Sequence, residues 1–156
     1  MVTQRKLSSL ALRLGCLALF ALISVAPAAK AALTRTEVWR GAYRCAQGMT
    51  GVTLTLLVQP GGRLQGLFEF YPVAANPAVS QGCFEMAGVI DPEHRVTLTA
   101  GLWRRQPAGY VTVGLTGQEI DANRLIGTID GPGCSTFALV RQTTPAQPSA
   151  CASVVS

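Results

Sequence analysis

From Val52 to Leu139 apolar side chains recur at every second position, and turn-forming residues interrupt them at intervals of about eight to twelve. A chain patterned in twos gives each strand one apolar face, which only other strands or layers can cover, so the pattern demands an all-β core. The clearest pair is Val52 to Val58 followed by Arg63 to Tyr71. In the first, Val52, Leu54, Leu56 and Val58 alternate with Thr53, Thr55 and Leu57; Pro60-Gly61-Gly62 turns the chain, and Leu64, Gly66, Phe68 and Phe70 continue the inward set.

The same reading gives six further strands. They are Trp39 to Cys45, Gly82 to Ile90, Arg95 to Trp103, Gly109 to Leu115, Arg124 to Asp130 and Cys134 to Arg141. Phe84, Met86, Gly88 and Ile90 face inward on the fourth strand in chain order, and Val96, Leu98, Ala100 and Leu102 on the fifth. Val111, Val113 and Leu115 do so on the sixth, with Gly117 to Asn123 as the turn that follows it. Gly66, Gly88 and Gly127 fall at inward positions, where a missing side chain lets a sheet bend. Eight strands joined mainly by short connections predict an up-and-down antiparallel barrel, which leaves no exposed edge; a two-sheet β-sandwich is the alternative.

The N-terminus is patterned differently. Arg5, Lys6 and Arg13 precede an apolar run from Leu14 to Val25 and then Ala29-Lys30-Ala31, the layout of a secretory signal peptide cleaved after Ala31, or alternatively after Ala28. The run is too short for a membrane span, and Cys16 lacks a lipobox because Arg13 stands where an aliphatic residue belongs. The expected organisation is a signal peptide over 1–31, one β domain over 32–141 and a flexible tail over 142–156, in the periplasm or secreted. Of 13 basic residues four lie in the leader, which leaves nine arginines against eight acidic residues. That near-balance removes the electrostatic case for nucleic-acid binding.

Four cysteines remain after the leader: Cys45, Cys83, Cys134 and Cys151. In an exported chain an even number reads as disulfides, with three pairings possible. Closure of a barrel brings the end of the first strand beside the start of the last, which favours Cys45 with Cys134 as a latch. Cys83 begins a strand at the same end and competes, and Cys151 takes whichever partner is left. No C-x-x-C spacing occurs and the single histidine, His94, is remote from the cysteines in sequence, so neither a metal nor a cofactor is expected.

Strand alternation sends every second connection to the same end of a barrel. One end thereby collects Ala46 to Thr50, Pro72 to Gln81, Arg104 to Ala108 and Gly131-Pro132-Gly133, and with them Gln47, Tyr71, Trp103, Arg104, Arg105 and Tyr110. Loops on a rigid scaffold carry binding residues, and Trp, Tyr and Arg are frequent anchors, so these six are the candidate ligand or partner contacts. The bland alternative is that Trp103 and Tyr110 plug the barrel while the arginines are solvated. Trp39 reads as a core lid near the other end. For chemistry the chain offers little: Glu69 and Glu85 are outward by parity on neighbouring strands, His94 sits in a turn, and Ser135 and Thr136 lack a nucleophile setting. No catalytic residue is assigned.

Three motifs, W-x-G-x-Y-x-C-x-Q-G at Trp39 to Gly48, G-C-F-x-M-x-G at Gly82 to Gly88 and G-C-S-T-F-A-L at Gly133 to Leu139, resemble a family of small uncharacterised secreted bacterial β domains. Tyr43-x-Cys45 followed by Gly48 and an alternating strand is similar, over a shorter stretch, to membrane-bound C-type lysozyme inhibitors. The second resemblance implies a periplasmic barrel with a cysteine latch, although this chain has no lysine after Lys30 for inhibitory contacts. The expected function is a non-enzymatic binding domain acting through the loop-rich end on a protein, glycan or small ligand of the cell envelope. Lysozyme inhibition is the alternative, and small-ligand carriage or hydrolysis stands behind it.

Overall fold

In the computed structural model residues 33–143 and 151 are described, and they build one closed barrel of eight strands. The strands are β1 (Arg35–Cys45), β2 (Gly48–Val58), β3 (Arg63–Tyr71), β4 (Gly82–Ile90), β5 (Arg95–Arg105), β6 (Gly114–Asp121), β7 (Arg124–Asp130) and β8 (Thr136–Arg141). Each pairs antiparallel with the next, and β1 pairs with β8 from Trp39↔Arg141 to Tyr43↔Phe137. The up-and-down barrel is therefore the architecture, and the sandwich is not. Among the described residues no helix is long and apolar enough to cross a membrane.

Strands in a barrel tilt against its axis, so a row of paired residues climbs as it passes around the wall. One such row runs Arg141, Trp39, Leu54, Phe68, Phe84, Trp103 across β8, β1, β2, β3, β4 and β5. It starts at one end of the barrel with an arginine and finishes at the other with a tryptophan. Trp39, Leu54, Phe68 and Phe84 are all fully buried, and Phe84 stacks on Phe68 at 4.9 Å between ring centroids. Side chains fill the interior, each large apolar one contributing about 1.5–3 kcal/mol. Two inward glycines, Gly117 and Gly127, face each other across β6 and β7, and a Cβ on either would run into the Phe137 ring. Their absence of side chains is what makes room for that ring.

Three sequence expectations are corrected. The sixth strand is not Gly109 to Leu115 but Gly114–Asp121, so the segment Gly117 to Asn123 is mostly strand and the turn shrinks to Ala122-Asn123. The apolar pattern ends at Leu115 because Gly117 yields to Phe137 and Glu119 occupies the next inward position, and neither residue advertises a core. On β5, Leu102 does not face inward. Gly101 and Leu102 together oppose Glu85, and Arg104 is a second inserted residue between the Phe84↔Trp103 and Cys83↔Arg105 pairs. The first bulge reverses the alternation, so Trp103 turns inward and Leu102 is left 74% exposed. Beyond Leu98, β5 has no β6 partner. β1 and β2 are also longer than the sequence suggests and meet in a two-residue turn, Ala46-Gln47, made possible by Gly48 at φ 94°.

The end that receives the short turns is plugged by charge. Glu37, Glu119 and Arg141 all take inward positions there. Arg141 Nη1 lies 2.7 Å from Glu37 Oε1, its Nη2 lies 3.5 Å from Glu119 Oε1, and its guanidinium sits 4.4 Å over the Trp39 ring. Glu37, only 5% exposed, also accepts from Arg35 Nε at 2.7 Å and from Trp39 Nε1 at 3.2 Å. His94, in the left-handed region at φ 62°, brings Nδ1 to 3.1 Å from Glu119 Oε2 and so ties the β4–β5 turn to the same plug. Trp39 is the lid on this end, as its sequence position suggested. In the exposed turns, Asp91 and Asp121 are held below the usual carboxylate range, chiefly by the backbone N–H of Arg95 and of Asn123 respectively.

Both disulfides are formed, Cys45–Cys134 and Cys83–Cys151. The first latches β1 to the β7–β8 connection across 89 residues of chain. The second lies outside the barrel, where Leu67, Cys83 and Cys151 form a small buried cluster against β3 and β4. Two outcomes are expected. Replacing Cys45 and Cys134 together by serine should lower stability by about 2–4 kcal/mol in urea titrations, because the unfolded chain regains the freedom of a long loop. Arg141→Met should cost about 2 kcal/mol in the same assay, less than the removal of one partner from a fully buried pair because Arg35 still faces Glu37. A double variant with Glu37→Gln should recover part of that loss.

Candidate functional site

The four connections at the other end are Ala46-Gln47 and the segments 72–81, 106–113 and 131–135, and the antiparallel order places all of them on the same rim. They are fastened to one another. Asn76 Nδ2 donates to the Gln47 carbonyl at 2.6 Å, joining the β3–β4 loop to the β1–β2 turn. The backbone N–H of Ser80 donates to the Tyr110 hydroxyl at 3.2 Å, joining the same loop to the β5–β6 loop. Ser135 N–H donates to the Arg44 carbonyl at 2.9 Å beside the Cys45–Cys134 bridge. Four loops held this way lose little further freedom when something binds among them.

The β5–β6 loop bends inward across the mouth. Tyr110 stacks on Phe70 with centroids 5.3 Å apart and an interplanar angle of 13°. Between this loop, the β1–β2 turn and the β7–β8 connection lies a pocket of about 260 Å³ that opens to solvent. Phe70, Phe84 and Val113 supply apolar lining; Tyr43, Gln47 and Tyr110 are its polar residues, and Cys45 and Cys134 belong to the wall. None of the lining side chains carries a formal charge at neutral pH.

Tyr43 and Gln47 form the polar corner of this pocket. The Gln47 amide Nε2 donates to the Tyr43 hydroxyl and to Thr50 Oγ1, both at 3.3 Å, and Thr50 donates on to the Gly48 carbonyl. Tyr43 pairs with Thr50 across β1 and β2, and both are buried. Burial raises the Tyr43 pKa well above its usual 10.0, because the surrounding core disfavours a phenolate; hydrogen bonds from Thr50 and Gln47 oppose the shift, and Tyr110 adds to it. The phenol is therefore a neutral polar group throughout the physiological range.

The six residues singled out in the sequence divide into three groups. Gln47 and Tyr110 line the pocket. Trp103 lies behind it, edge-on to Phe84 at 5.1 Å and to Phe70 at 6.1 Å, so it buttresses two lining rings from within the mouth. Tyr71, Arg104 and Arg105 are on the outer wall: the Tyr71 hydroxyl is 3.3 Å from Thr53 Oγ1, Arg104 pairs with Glu85, and Arg105 is exposed. Glu69 and Glu85 also lie on the outer wall and His94 at the opposite end, so none of the three lines the pocket. Among the described residues no group of three or more His, Cys, Asp or Glu side chains is placed to hold a metal ion.

Sequence reasoning missed Tyr43, Phe70, Phe84 and Val113 as lining residues. Inward parity marked Phe70, Phe84 and Val113 as core, and it could not show that the core stops short of the rim. The clue available was position: each belongs to the rim end of its strand, or to the loop that follows. A shallow groove on the outer wall of β4 to β7, about 430 Å³ and lined in part by Val89, Thr97, Thr116 and Ile126, is the other hollow of note.

An alkaline titration checks the burial of Tyr43. In the unfolded chain its phenol ionises near pH 10, whereas the folded chain retains the proton, so above that pH the unfolded state binds fewer protons and stability falls as pH rises. In Tyr43→Phe the fall between about pH 9.5 and 11 should be shallower in urea titrations; identical slopes in both proteins would mean that the phenol is not shielded. Comparison with protein families, characterised proteins and solved structures finds no match to this chain.

Proposed function

We propose that this chain is an exported, non-enzymatic binding domain whose ligand or partner inserts a group into the pocket at the barrel mouth. The observation that carries the reading is the mouth itself, a solvent-open hollow with an aromatic floor, framed by four loops that are already cross-linked. Ligand sites on β scaffolds are built this way, with a concave apolar surface and a few placed polar groups. The two disulfides fit an oxidising compartment, in agreement with the leader-like N-terminus. Catalysis finds less support at this site, since its lining offers no carboxylate or imidazole and its buried phenol holds its proton.

The filled interior speaks against carriage of a large ligand inside the barrel. A dry cavity of about 150 Å³ accepts a benzene ring, so about 260 Å³ suits one ring with a short substituent or one inserted side chain. A nuclear magnetic resonance titration of the mature domain with ring-sized fragments tests the reading. Shifts should concentrate at residues 43–47, 109–113 and 131–134. Val111→Trp, at a lining residue that is 61% exposed, should abolish them without lowering the melting temperature. Shifts confined to the outer groove near Val89 and Ile126, or no shifts at all, would refute it.

A further inference from the structure

The mouth pocket also carries information about the charge of what it takes. Taking the pocket as the binding site, we infer that it selects an uncharged, ring-sized group bearing a hydrogen-bond donor, and that Gln47 is the residue reading the donor. The group is either a free small molecule or a side chain presented by a larger partner.

An anion is disfavoured because the lining supplies no cation. The rim arginines are directed elsewhere: Arg104 pairs with Glu85 on the outer wall, and neither Arg104 nor Arg105 contributes to the pocket surface. Transferring a carboxylate from water to an apolar hollow without a partner costs far more than the burial of one ring returns.

A cation is disfavoured for a different reason. Four aromatic residues line the pocket, and open ring faces would attract an ammonium group. One face each of Phe70, Tyr110 and Phe84 is already taken up by another ring. Tyr110 lies on Phe70, Phe84 lies on Phe68, and Trp103 meets both Phe70 and Phe84 in T-shaped contacts. The stacking leaves fewer ring faces turned to the pocket, and no carboxylate stands among the lining residues to neutralise a cation.

What remains is one polar requirement. The Gln47 amide uses Nε2 as donor to Tyr43 and Thr50, which fixes the orientation of the group. Its Oε1 accepts no hydrogen bond from any described residue, so an acceptor is left over on a lining side chain whose amide is already oriented. A donor on the ligand satisfies it, and a ligand without one leaves the amide to water.

Three molecules of one shape and different charge form the test: benzamide, benzoate and benzamidinium, titrated into the mature domain at neutral pH and followed by backbone shifts at residues 43–47 and 109–113. Benzamide should bind at least tenfold more tightly than either ion. Gln47→Leu should weaken benzamide about fivefold and leave toluene unchanged. Gln47→Glu should move the preference to benzamidinium. N-acetyl-tyrosine amide set against phenol, the same ring and donor with and without a peptide, separates a presented side chain from a free small molecule by which binds more tightly at the same shifts. Equal affinity for all three isosteres, or tightest binding of benzamidinium to the unmodified protein, overturns the inference and leaves the pocket as a binding site. Failure of every compound to shift the mouth residues overturns the reading beneath it as well.

Discussion

Everything in this barrel depends on β1 meeting β8. The ladder between them is short, from Trp39↔Arg141 to Tyr43↔Phe137, and it is reinforced at both ends by interactions of different kinds. At the closed end Arg141 of β8 holds Glu37 of β1 and lies over Trp39; at the mouth Cys45 is bonded to Cys134. A few backbone hydrogen bonds would be a weak seam for a closed sheet of eight strands. The ion cluster supplies a seam that cannot slip by one residue without burying unpaired charge, and the bridge supplies one that cannot part. The inward row from Trp39 to Trp103 keeps its register because β1 is fixed on both sides.

The two ends are thereby made different. Short turns and a charged plug close one end, and the core is continuous above it. At the mouth the polypeptide runs out of strand before it runs out of barrel, because β6 begins only at Gly114 and β5 continues past Leu98 with β4 on one side and no β6 on the other. The β5–β6 loop folds over the gap with Tyr110 on Phe70, which shapes a pocket instead of finishing the wall. Tyr43, Gln47 and Thr50 then give that pocket its one polar corner, and all three lie within a few residues of the Cys45–Cys134 bridge. The latch and the candidate site are thus built from the same hairpin.

Much of this was legible in the chain. Alternation gave the strands, turn residues gave the antiparallel order, and closure of that order gave the Cys45–Cys134 pair. What failed to show were features whose cause lies across the barrel. Glu119 interrupts the apolar pattern of β6, and the positions of Arg141 and His94 explain why a carboxylate points inward there. Leu102 and Trp103 exchange faces because of an inserted residue opposite Glu85, which alternation in one strand cannot register. Gln47 and Tyr110 were recognisable from their place at the loop-rich end and from residue type, whereas Phe70 and Phe84 looked like any other core residues. Their role at the pocket follows from where the packing stops.

The half of β5 that lacks a β6 partner has a bearing on how the protein meets other chains. An unpaired strand edge is a template on which another chain can lay a strand, and a flat apolar one is an aggregation hazard. Here the stretch past Leu98 is broken by two inserted residues and ends in Arg104-Arg105, so its peptide groups do not fall into the even spacing a second strand needs. The device that turns Trp103 toward the pocket thus also makes that edge a poor template for a second strand.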